Sequence, residues 1–155
     1  MKTLLGVGVA MLVLIGTASQ SQVDKSKIED EVRGALDRYV QAVESEDLEE
    51  YAGVVAHDTD MVNFGAFGTP IIGWESLRAV MEGQNAALDS IRVEQSQVVV
   101  KVLSSGDDAW ATSLWRFRAK SGKDTLDVPV RCTWQLQKRG ETWRVIHFHK
   151  SIAAG

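Results

Sequence analysis

From Ser90 onward the sequence is strand after strand. Four long runs, SIRVEQSQVVVKVL, DAWATSLWRFRAK, TLDVPVRCTWQLQK and TWRVIHFHKS, are broken only at Ser104–Asp107, Ser121–Gly122 and Arg139–Gly140. Connections this short cannot carry a crossover, so consecutive runs must return antiparallel beside one another. Side chains alternate along each run, which makes its two faces readable. In the third run Val128, Val130, Cys132, Trp134 and Leu136 share one face, and Arg131, Thr133, Gln135 and Gln137 share the other. The first set is expected to meet a core and the second to meet solvent or another subunit. In the second run Trp110, Thr112, Leu114, Arg116 and Arg118 share a face, with Ala111, Ser113, Trp115 and Phe117 on its reverse. Both faces carry large apolar groups, so the sheet needs cover on its back. A second copy of the chain is the simplest cover, and a homodimer or higher homo-oligomer is expected.

The first half reads differently. Ile28, Val32, Ala35, Leu36, Tyr39, Val40 and Val43 recur at spacings of three and four, which predicts an amphipathic helix. A second helix is predicted after Ser45 as cap, with Leu48, Tyr51, Val54 and Val55 on one stripe. MVNF and TPIIG are short strand candidates, and WESLRAVMEGQNAAL reads as a third helix. Helices first and an antiparallel sheet afterwards make the fold class α+β, with a curved sheet packed on three N-terminal helices. We find no internal repeat and no second domain. A single domain is expected over 27–155, after a polar lead-in at 20–26.

Lys2, the apolar run Leu4–Gly16 and the small polar residues TASQSQ have the layout of a secretory signal peptide over residues 1–19. A membrane span needs about 20 apolar residues, so the mature domain is expected to leave the membrane and to be periplasmic or secreted. Cys132 is the sole cysteine, so no internal disulfide can form; it reads as a small buried hydrophobe. The net charge of −4 gives no basic footprint for nucleic acid.

The order helix, helix, two short strands, helix, four long strands resembles the nuclear transport factor 2-like superfamily. This is the cone-shaped, cystatin-like roll that includes ketosteroid isomerase and the SnoaL-like polyketide cyclases. More narrowly, WRVIHFHKS is similar to the ending of the association (hub) domain of calcium/calmodulin-dependent protein kinase II and its stand-alone bacterial relatives. The likeness takes in QAVESEDLEEY, Phe64, Gly73, SSGDDAWATSLWR with Arg116, and Thr133 ten residues before Trp143. It covers Ile28 to Ser151, and no kinase domain accompanies it. The resemblance implies rings of dimers, and a pocket inside the cone whose arginines take small carboxylates. Arg116 matches one such arginine by its offset from Gly106. A second falls near Trp134, where this chain departs from the pattern. Arg131 stands on the face opposite Trp134, toward either the pocket or an interface.

Candidate site residues follow. Arg116, among apolar neighbours, is either an anion anchor or half of an internal ion pair. His147 and His149, read on one face with Trp143 and Val145, admit three roles: structural donors, cavity-lining acid–base groups, or a metal pair. A metal would need His57 or a carboxylate as third ligand, and no metal or cofactor is expected. Tyr39 and Tyr51 lie on the core stripes of their helices, with hydroxyls that could reach a ligand or simply be satisfied in the core. Trp74 is a candidate wall at the cone mouth, and Trp110 and Trp134 are candidate aromatic walls of the cavity. The expected function is an exported, oligomeric binding or assembly domain that takes a small, acidic organic ligand. The alternative is a small cofactor-independent isomerase or cyclase. That chemistry needs a base and a hydrogen-bond donor in a dry pocket, and only Asp58, Asp60 or a histidine offers a base.

Overall fold

The computed structural model describes residues 14–152, with side chains from Asp24 onward. The expected signal peptide falls largely outside the described residues; among those described, no helix is long and apolar enough to cross a membrane. Helix α1 (Leu14–Ser45) takes in the polar lead-in, whose serines, glutamines and lysines contain neither proline nor glycine to stop it. Its periodic residues Val32, Ala35, Leu36, Tyr39 and Val43 are buried as a stripe. Helix α2 (Leu48–Val54) is capped by Asp47, not Ser45: the Asp47 carboxylate accepts from the amides of Glu49 and Glu50 at 2.8 and 3.0 Å. Ser45 is still inside α1, and only after Glu46 turns at φ 58° can a new helix begin. The next Asx residue takes the cap.

Strands β1 (Val62–Asn63) and β2 (Ile71–Ile72) form a two-stranded ribbon, and α3 (Trp74–Ala87) follows. Gly73 joins them at φ 77° and ψ 163°, a region open to little but glycine. A Cβ there would also stand 2.8 Å from the Thr59 carbonyl oxygen. Gly73→Ala should therefore lower stability by about 2–3 kcal/mol, read as a reduced urea midpoint; an unchanged midpoint would refute the assignment.

The meander is as expected: β3 (Asp89–Val102), β4 (Asp108–Ser121), β5 (Asp124–Arg139) and β6 (Thr142–Ser151) lie in sheet order 3-4-5-6, all antiparallel. The helices cover one face of it. Val130, Cys132, Trp134 and Leu136 of β5 point into the core, and Arg131, Thr133 and Gln135 are exposed. Pairing register transfers this polarity to β4. Trp134 lies opposite Ala111, Cys132 opposite Ser113, Val130 opposite Trp115. Paired residues share a face, so Ala111, Ser113 and Trp115 face inward, and Trp110, Leu114, Arg116 and Arg118 face out.

Strand β6 changes phase midway. Leu136 pairs with Val145, but Gln135 pairs with His147, leaving Ile146 as an extra residue. This β-bulge reverses the alternation. Trp143 and Val145 are buried before it; after it Phe148 is buried and Lys150 follows on the same inner face. His147 and His149 are thereby turned to the outer side, against the expectation that they would share a face with Trp143. There Phe64 bridges to β6, accepting from the Lys150 amide and donating to the Phe148 carbonyl, each at 2.9 Å.

Candidate functional site

Between α3, the β1–β2 segment and the inner face of β4–β6 lies a cavity of about 320 Å³. Its wall is apolar almost throughout: Leu77, Val80 and Met81 from α3, Trp115 and Phe117 from β4, Val128 and Val130 from β5, Phe148 from β6. Exposed Phe67, Val80 and Leu126 form part of its rim. Two polar side chains also line it, Gln84 and Lys150. The Gln84 Nε2 amide is buried without a hydrogen-bond partner.

Lys150 reaches the cavity because of the bulge. Its Nζ lies 4.5 Å from the ring centre of Trp115, 4.6 Å from Phe148, 4.9 Å from Tyr39 and 5.6 Å from Trp134. Four π-faces within 6 Å form an aromatic cage that suits a cation. Its hydrogen-bond partner is the Tyr39 hydroxyl, which accepts at 3.1 Å and itself stands 2.8 Å from the Tyr51 hydroxyl. Among the described residues no carboxylate pairs with Lys150. The titratable groups around it are Tyr39 from α1, Tyr51 from α2 and Cys132 from β5. Burial raises both phenols above their ordinary value and pushes the Cys132 thiol up to about 11. All three stay neutral at pH 7, so none is a counter-ion. Burial of the amine, with no anion to offset it, lowers Lys150 to about 8.

The expected site residues are dispersed. Arg116 does not line the cavity. Its side chain is 46% exposed on the outer face and is bonded to Asp127, which also meets Arg118 at 3.5 Å. His147 and His149 lie outside the cavity too. His147 Nδ1 donates to the Val62 carbonyl, and the His149 ring stands 5.5 Å from Phe64. Trp110 is on the outer face. Trp74 stacks on His57 at 4.2 Å and, with Tyr51 at 6.5 Å, builds the core behind the cavity. Tyr39, Tyr51 and Trp134 do gather near the cavity, as the floor beneath Lys150; Trp134 donates to Ser113 Oγ at 3.0 Å. Among the described residues no three His, Cys, Asp or Glu side chains converge on one point.

Sequence reasoning missed Lys150 and Gln84. A mark of the first was present. The apolar phase of the last strand moves from odd positions (Trp143, Val145) to even ones (Ile146, Phe148), which is how a bulge writes itself into an alternating pattern.

A cone of antiparallel strands closed by three helices around one such apolar hollow defines a nuclear transport factor 2-like roll. Three solved structures illustrate the likeness. One is a nuclear transport factor 2-like protein of unknown function from Pseudomonas putida KT2440, with 26% identity over 84% of this chain and 89% of that one, TM-score 0.70. Another, named as a candidate dehydratase of the same family, is from Streptomyces avermitilis, with 15% identity over 84% and 99%, TM-score 0.76. The third is a candidate calcium/calmodulin-dependent protein kinase type II association domain from Thiobacillus denitrificans, with 18% identity over 79% and 94%, TM-score 0.66. No curated protein matches the chain. The sequence pattern of the SnoaL-like domain matches residues 32–155, and the chain belongs to that family.

Proposed function

We propose that this SnoaL-like domain binds a compact, mostly apolar organic molecule that carries one carboxylate or similarly electron-rich oxygen, with Lys150 as the anion anchor. The observation that carries the reading is a part-buried ammonium, caged by rings and, among the described residues, without a carboxylate partner, at the wall of an otherwise apolar hollow. A charge in that position is costly until an anion arrives. The unpartnered Gln84 amide is a donor for a second ligand oxygen. The volume lies near the lower end for small-molecule pockets, roughly 300–1,000 Å³.

An isomerase or cyclase on the same frame would need a base in the cavity. Asp58 is held by two hydrogen bonds from Arg139, at 2.7 and 2.6 Å, Asp60 is exposed and does not line the cavity, both β6 histidines face outward, and Lys150, the titratable side chain of the lining, is mostly protonated at pH 7. Binding is therefore the better-supported reading. The test is a thermal-shift and calorimetric comparison of 3-phenylpropanoate and octanoate with their neutral amides. The acids should raise the melting temperature and the amides should do so far less; no shift with any acid would overturn the reading. Arg116→Ala should leave acid binding within twofold of wild type, because that guanidinium neutralises Asp127 on the other side of the sheet.

Export and self-association complete the proposal. Lys2 and the apolar Leu4–Gly16 support export. Trp110, Leu114 and Val99 are exposed apolar residues on the outer face of the sheet, which supports pairing with a second copy there. Light scattering at two concentrations should give at least a dimer's mass.

A further inference from the structure

The binding reading uses the Lys150 amine in its charged form; the neutral form of the same amine has a second use. From the position of its Nζ in the apolar cavity, unpaired with any carboxylate among the described residues and held by Tyr39, we infer that Lys150 captures carbonyl compounds as a Schiff base. The inference rests on the reading that the cavity admits an apolar molecule with its polar end at Lys150.

Among the lysines of known surroundings, Lys138 is paired with Glu31 at 2.9 Å, and that pair raises its basicity. Lys150 has the reverse setting: apolar surroundings, a neutral hydroxyl partner, and neutral Cys132 and Tyr51 nearby. A desolvated lysine in an apolar pocket is a general route to an amine nucleophile near neutral pH. Its basicity, lowered to about 8, leaves a sizeable neutral fraction at pH 7.5. Tyr39 acts as a positioning residue. Its oxygen takes one N–H of the amine, which holds Nζ against the cavity floor.

The step balances without any further reagent. The Nζ lone pair forms a bond to the carbonyl carbon, and the C–O π pair moves to oxygen. Protons pass from nitrogen to that oxygen, giving a carbinolamine; its C–O bond then breaks and water leaves. The products are one imine and one water from one amine and one aldehyde. An apolar wall disfavours the reverse attack of water on the imine.

The probe is 3-phenylpropanal, whose body matches 3-phenylpropanoate. The full-length protein is incubated with it at pH 7.5 and sodium cyanoborohydride, which reduces any imine to a stable amine, and the adducts are mapped by peptide mass spectrometry. Lys150 should be modified at least about tenfold faster than any other lysine, since ordinary lysines are almost wholly protonated there. An excess of 3-phenylpropanoate should suppress that adduct alone. Lys150→Arg, which has no nucleophilic amine, should form no cavity adduct, while the adducts at the other lysines stay unchanged. If the acid binds but Lys150 reacts no faster than the other lysines, covalent capture is overturned and the binding reading stands. If neither the acid binds nor the adduct forms, both are overturned.

Discussion

Lys150→Met should abolish binding of carboxylates to the cavity and at the same time stabilise the empty protein at pH 7. Both effects have one cause. The amine is depressed from an ordinary 10.5 to about 8 because burial disfavours its charge. That difference corresponds to a penalty of about 3 kcal/mol while the amine is protonated. Methionine has a similar length, fits an apolar wall and carries no charge to desolvate. Lost ring and Tyr39 contacts offset part of the gain, so the net increase should be about 1–2 kcal/mol. The sign with pH follows from proton counting. Between pH 8 and 10.5 the unfolded chain holds a proton on this lysine that the folded chain has released. This lysine's contribution to wild-type stability therefore rises with pH across that window, and the penalty is fully present below it. The advantage of the variant should shrink as pH climbs from 8 to 10.5. Cys132 titrates in the opposite sense above pH 9, and Tyr39 and Tyr51 above pH 10, but all three are common to both proteins. Chemical denaturation of the two proteins at pH 7 and pH 10 checks this; equal stability at pH 7, or a gap that widens with pH, would refute the buried-charge account. Acid binding by the wild type should weaken as pH rises above about 8, since the anchor is then neutral.

Trp134→Ala should bring the fold close to unfolding. Trp134 is fully buried, packs on Tyr39, Trp115 and Phe148 with ring centres 4.9–6.1 Å away, and donates to Ser113. Truncation of a buried aromatic costs about 3–5 kcal/mol, against a typical total of about 5–15 kcal/mol. Trp134→Phe keeps most of the ring packing and removes the donor to Ser113, a loss nearer 1–2 kcal/mol. The urea midpoints should fall in the order wild type, Phe, Ala. The Ala variant should also lose acid binding, because the floor of the lysine cage is gone.

These two residues mark where sequence reading worked and where it stopped. Trp134 was legible: strict alternation over Val130, Cys132, Trp134 and Leu136 identifies a buried face without any knowledge of neighbours. The helices were legible for the same reason, since the stripe from Val32 to Val43 can bury itself in one way only. Arg116 stayed open between an anion anchor and an internal ion pair because β4 is apolar on both faces, and alternation alone does not choose between them. Pairing with β5 chose, by setting Trp115 beside Val130 and Arg116 beside Pro129. His147 and His149 were read on the face of Trp143, and Lys150 was passed over, because of a single residue, Ile146, whose bulge inverts everything after it.

The sequence by itself determined the strand count, the antiparallel order, the helical cover and the inward face of β5, because each follows from local periodicity and short turns. Only the tertiary structure decided which cation enters the hollow. That choice depends on inter-strand register and on one bulge. Both are set by pairing and packing between segments distant in the chain, and a shift of one residue in either moves a charge from water to the core.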